Sequence, residues 1–75
     1  MFDKELFGQR LLQLRKEKKV SQTALGKLIG VSATQIGDME KGESTTSLSR
    51  LYTLCEFFGV SSDYLLGLSD DPTPR

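Results

Sequence analysis

The sequence has no histidine, no tryptophan and a single cysteine. Without histidine, the commonest general base and metal ligand near neutral pH is missing. Cys55 can form no internal disulfide, and no base accompanies it as a nucleophile would require. It lies in LYTLCEFFGV, which looks like one face of a helix, so we read it as buried or half-buried core. A reducing compartment is its natural setting. The acidic pairs Asp3 with Glu5 and Asp70 with Asp71 sit at the ends without convergent partners, so paired-carboxylate chemistry has no frame there. No cluster of Cys and His offers a metal site, and no glycine loop cradles a phosphate. These absences argue against an enzyme and against a metal or other cofactor; no small-molecule site is evident. The apolar runs are only a few residues long, so no membrane span is expected. The N-terminal MFDKELFGQR carries acidic residues and does not read as a signal peptide. Both prolines fall in the last seven residues, SDDPTPR, which read as a flexible tail or the start of a linker.

Charge of one sign is also missing. Ten basic residues balance ten acidic ones, and a net charge of zero is a poor sign of a nucleic-acid binder. The distribution is less even. Residues 1–41 hold eight basic residues against five acidic, a balance of plus three, and residues 42–75 hold two against five, a balance of minus three. The 75 residues allow one small domain, and 37 % of them are hydrophobic. A chain of this size buries only about 60 % of its unfolded surface, so its stability margin is thin.

What is present is helical periodicity. Phe7, Leu11 and Leu14 set a first helix over 5–18, with Gly8 a mild cost inside it. Asp3 or Glu5 at its start and the basic cluster Arg15–Lys19 at its end suit the helix dipole. Ser21 caps a second helix over 22–29 with Leu25, Leu28 and Ile29 inward. Gly26 inside it would be tolerated if a neighbouring helix comes close. Gly30 stops this helix, Val31 plugs the turn, and Ser32 with Gln35 forms a capping-box pattern for a third helix over 33–40. Ile36 and Met39 face inward there. The other side, with Ala33, Thr34, Gly37, Asp38 and Lys41, has no bulky apolar residue. Gly42 follows as a helix-closing glycine. A fourth helix over 47–58, capped by Thr45 or Thr46, carries Leu48, Leu51, Leu54, Cys55 and Phe58. A fifth over 62–67, capped by Ser61, adds Leu65, Leu66 and Tyr64. No strand signal appears. The reading is all-α: a compact bundle of five short helices over residues 1–68, followed by the tail 69–75. From the residues alone, the pair over 21–40 is either a DNA-reading helix-turn-helix or two helices of a small bundle.

The stretches QRLLQLRKEKKVSQTALGKLIGVSATQIGDMEKGE and LSRLYTLCEFFGVSSDYLLGLSD cover roughly residues 9–70. They resemble the Cro/C1-type helix-turn-helix family of bacterial and phage transcriptional regulators, with a lambda-repressor-like DNA-binding domain. The resemblance implies sequence-specific binding of double-stranded DNA, most often repression by a dimer on a palindromic operator, in the bacterial cytoplasm or a phage-infected host. It makes the third helix the recognition helix in the major groove. Base contacts then fall to Ala33, Thr34 and Asp38. Backbone contacts fall to Gln22 at the start of the second helix, to Ser32 and Gln35, and to basic residues including Lys27, Lys41 and Arg10. Arg15 and Glu40 match an internal ion pair of the family. Tyr52, Phe57, Tyr64, Leu68 and the tail are candidates for a homodimer contact, formed on DNA if not before. The tail also resembles the point where phage repressors leave this domain for a C-terminal oligomerisation region.

The departures thin the expected readout. Ala33 stands where many members carry Gln, Arg or Asn, and an alanine offers only a methyl group to thymine. Asp38 can accept from cytosine but repels phosphate. Gly26 replaces the usual alanine, and the loop Glu43-Ser44-Thr45-Thr46 lacks basic residues. Binding by one copy should be modest and strongly salt-dependent. The rival reading is a protein-interaction module, such as an antirepressor or an antitoxin-like partner protein.

Overall fold

The computed structural model describes residues 1–74. It contains five helices in the order α1 (Lys4–Lys18), α2 (Gln22–Ile29), α3 (Ala33–Glu40), α4 (Leu48–Phe58) and α5 (Ser62–Leu66). Each starts on a side chain that takes up an orphan backbone N–H. Asp3 accepts from Glu5 N and Leu6 N, and Ser21, Ser32, Ser47 and Ser61 each accept from the N–H three residues on. α4 is therefore capped by Ser47 and not by Thr45 or Thr46 as expected. The serine puts its oxygen one residue closer to the apolar run, where Arg50 N reaches it at 3.2 Å.

The core is shared among all five helices. Phe7, Leu11, Leu25, Ile29, Ile36, Met39, Leu51, Leu54, Val60 and Leu65 are buried. Two expected core residues are not. Leu28 is 43 % exposed and Leu48 is 83 % exposed. In α2 the buried stripe is Leu25, Gly26 and Ile29, which leaves Leu28 on its edge. Leu48 is the first residue of α4, where no other helix reaches over it. Cys55, by contrast, is half-buried against the core.

α3 lies between α1 and α2 and packs on both. Gly8 explains how closely α1 approaches. A Cβ at that position would stand 2.4 Å from the Met39 carbonyl oxygen and 2.6 Å from that of Glu40. The glycine that looked like a mild helix cost is the contact point of two backbones. Gly26 has a similar reason, but its neighbour is the turn and not another helix: a Cβ there would meet Val31 O at 2.5 Å.

The tail, expected to be free, folds back over its described length; Arg75 lies outside the described residues. Arg10 Nη1 donates to Tyr64 O at 2.5 Å and to Ser69 O at 2.9 Å, and Arg10 Nη2 donates to Asp70 Oδ1 at 2.7 Å. Ser61 N donates to Pro72 O at 2.9 Å. An arginine of α1 and the backbone N–H at the start of α5 thus give the segment partners that its composition does not reveal.

Candidate nucleic-acid interface

The turn between α2 and α3 is built from local chemistry. Gly30 closes α2 in the left-handed region, at φ 81°, with its N–H donating to Gly26 O. Two residues on, Ser32 opens α3 with a complete capping box. Gln35 N donates to Ser32 Oγ at 3.1 Å, and Ser32 N donates to Gln35 Oε1 at 2.8 Å. Ser32 and Gln35 are thus engaged with each other. What remains to them for a ligand is the serine O–H and the amide –NH2 of Gln35.

α3 is split along its length. Ile36, Met39 and Glu40 are buried. Thr34, Gln35 and Lys41 are exposed, and Ala33, Gly37 and Asp38 are half-exposed. Thr34 and Asp38 are one turn apart on the outer side, and Lys41 lies a further turn along. Of the expected base-reading residues, Thr34 and Asp38 therefore share one face, and Ala33 stands at its edge. Lys27 is exposed in the last turn of α2. Arg10 does not join them. Its guanidinium is committed to the end of α5 and to the tail, and it lies 4.2 Å over the Tyr64 ring. Its expected phosphate contact gives way to this internal one, because three acceptors and an aromatic face satisfy its charge within the fold.

Behind the outer face sits a charged network. Arg15 Nε donates to Glu40 Oε2 at 2.5 Å and Arg15 Nη2 to Glu40 Oε1 at 3.2 Å. Arg15 Nη1 also donates to Val20 O at 3.0 Å. Glu40, at 8 % exposure, is the buried charged residue among those described. Gln22 completes the network from α2: its Nε2 donates to Glu40 Oε1 at 2.9 Å. A bidentate arginine and an amide donor together compensate the desolvated carboxylate, and removing one partner of such a group costs about 3–5 kcal/mol.

Two further basic residues tie helices together: Arg50, to which the sequence assigned no role, and Lys18, expected as part of the basic end of the first helix. Arg50 of α4 donates from Nε to Ile29 O at 2.9 Å, and its Nη2 reaches Gly30 O at 3.5 Å. It seals the carbonyl end of α2, where a cation is favoured. Lys18 plays the matching part for α4. Its Nζ donates to Phe57 O at 3.0 Å and lies 4.7 Å from the Phe57 ring centre. The signal for Arg50 was its isolation as a basic residue within helix four. Burial pushes the Cys55 thiol pKa up, so the thiolate is disfavoured and the residue behaves as core. Among the described residues, no group of three or more His, Cys, Asp or Glu could hold a metal ion, and no helix is long and apolar enough to cross a membrane.

Comparison with known proteins bears on this arrangement. A sequence profile of the helix-turn-helix family matches residues 11–65. The HTH-type transcriptional regulator YobD of Bacillus subtilis is 39 % identical over 70 residues, covering 93 % of this chain and 62 % of that protein. The repressor protein C2 of Salmonella phage P22 is 39 % identical over 62 residues, covering 83 % of this chain and 29 % of that protein. The chain thus spans less than two thirds of either relative. The crystal structure of the P22 c2 repressor with a synthetic operator superposes with a TM-score of 0.76 at 39 % identity, covering 81 % of this chain and 92 % of that one. The restriction-modification controller protein C.AhdI of Aeromonas hydrophila gives a TM-score of 0.73 at 33 % identity, covering 84 % and 96 %. With its five-helix bundle, its capped turn and a profile match over most of its length, the chain belongs to the helix-turn-helix family of Cro/C2-repressor-like transcriptional regulators.

Proposed function

We propose that this protein is a sequence-specific double-stranded DNA-binding regulator, acting as a dimeric repressor on a palindromic operator with α3 in the major groove. The observation that carries it is the split of α3. A helix whose outer side holds only Ala33, Thr34, Gln35, Gly37 and Asp38, with Lys41 at its end, offers a groove small or polar side chains and no apolar obstacle. The likeness to the P22 c2 repressor, which was crystallised on an operator, supports the same docking.

In this reading Ala33 and Thr34 meet thymine methyl groups or base edges, and Asp38 accepts from a cytosine amino group. Gln22, Ser32, Gln35, Lys27 and Lys41 hold the phosphates. So small a reader leaves much of its selectivity to DNA shape and to the spacing of two half-sites. Tyr52, Leu68 and Leu48 are among the exposed apolar residues available for a second copy. Phe57 and Tyr64 serve less well, because Lys18 and Arg10 already cover their rings. The same exposed residues favour the second reading, a module that binds a partner protein.

Mobility shift and footprinting of the chain on DNA selected from a random pool separate the two. The expected result is a two-fold-symmetric footprint whose affinity falls steeply with salt. Lys27→Ala and Lys41→Ala should each weaken binding about equally on all sequences and lower the salt slope by about one. No shift at low salt, with or without a fused dimeriser, would exclude DNA as the ligand.

A further inference from the structure

Gln22 does more than a phosphate contact requires. Its amide lies across α3, where position 37 is glycine; a Cβ built there would stand 3.5 Å from Gln22 Nε2. From that position Nε2 donates to Glu40 Oε1. The carboxylate can only accept, so it fixes which end of the amide turns inward. It is itself held by Arg15 through both of its oxygens. Nε2 carries two hydrogens. One goes to Glu40, and the second remains for a group outside the protein.

We infer that Glu40 is a positioning residue for DNA binding: the buried Arg15–Glu40 pair locks the Gln22 amide over Gly37, so that its second N–H meets a phosphate in fixed register with α3. The inference rests on the DNA-binding function proposed above. A free glutamine would lose its rotamer freedom on binding, whereas here that loss has already occurred on folding. One carboxylate also joins three elements. It belongs to α3, reaches α1 through Arg15 and reaches α2 through Gln22. The angle between the start of α2 and the recognition helix is thereby tied to a single group.

Two measurements test this. The first uses the unsubstituted chain without DNA, with side-chain relaxation of the glutamine amides read by NMR. Gln22 should be nearly as ordered as helix backbone, with an order parameter of about 0.85, while exposed Gln13 falls below about 0.6. A Gln22 amide as mobile as that of Gln13 overturns the inference, whatever the protein binds. The second is a double-mutant cycle on the selected DNA site. Gln22→Met removes the donor. Glu40→Gln keeps the size but lets the facing amide turn over. Each should weaken binding about tenfold, and the pair no more than about twofold beyond either alone. Losses that multiply instead mean that the two residues act separately, and the positioning role fails. If Glu40→Gln does not fold, the relaxation measurement still decides. An ordered Gln22 in a chain that binds no DNA refutes the phosphate contact and the function proposed above, while the internal lock stands.

Discussion

At the crossing of α1 and α3, two backbones meet. Gly8 lies against the carbonyls of Met39 and Glu40, and the Arg15–Glu40 pair closes the same joint. α4 is attached differently. Its polar attachments are long side chains laid on carbonyl oxygens: Arg50 on the end of α2, and Lys18 from α1 on its own last turn. The first joint leaves no room for adjustment. The second can give, because long cationic side chains can change rotamer without disturbing the core. The difference follows the proposed work of each part. The reading helix must keep one orientation relative to α2, whereas α4, held in the core by Leu51 and Leu54, turns the exposed Leu48 and Tyr52 outward.

The comparison can be broken at the tight joint first. Gly8→Ala should destabilise the fold by about 2–3 kcal/mol, because backbone carbonyls cannot move aside as a side chain would. Chemical denaturation measures it, and a loss under about 0.5 kcal/mol would show that α1 slides freely over α3. At the compliant joint, Arg50→Met keeps the aliphatic stem and removes the donors to Ile29 O and Gly30 O. The expected loss is about 1–2 kcal/mol, with faster amide exchange concentrated in α2. Exchange that quickens equally in all helices would mean that Arg50 supports the whole core and not this one helix end.

Between the two joints runs the connection from α1 to α2, where Lys19 is the positive-φ residue other than glycine, at φ 58°. Lys19→Gly should stabilise the chain by about 0.5–1 kcal/mol, since the left-handed region is strained for a side chain. A fall in melting temperature would contradict it. The smallest effect belongs to Cys55. Its folded-state pKa is raised by burial, so the folded state holds the thiol proton more tightly than the unfolded chain does. The stabilising contribution is full below the ordinary thiol pKa and is lost as pH rises through the raised one. Alkaline melts of the native chain should therefore show a decline that is shallower in Cys55→Ala, and equal slopes for the two chains would contradict it.

Much of this architecture was legible in the residues. Serine starts and glycine stops mark the helix ends to within about one residue, because caps act locally and need no tertiary partner. The inward residues Ile36 and Met39 of α3 were legible from periodicity, and the pairing of Arg15 with Glu40 through family likeness. Leu28 and Leu48 were misread because periodicity shows which way a side chain points, not whether a neighbour arrives to cover it. Gly8 and Arg10 were misread because their meaning depends on segments more than thirty residues away. Thr34 and Asp38 lie one turn apart as spacing dictates, but the second engagement of Gln22 is visible only in three dimensions.

The division of α3 into a buried and an outer side also bears on how such a protein changes over time. Ile36, Met39 and Glu40 are answerable to the fold. Ala33, Thr34, Asp38 and Lys41 stand outside the buried core cluster. On the function proposed above, instructions for folding and the address on DNA are written at separate positions of α3 and the lysine that follows it. A lineage can rewrite the address while leaving the folding instructions untouched, and an engineer can randomise those four positions without first having to rescue the scaffold.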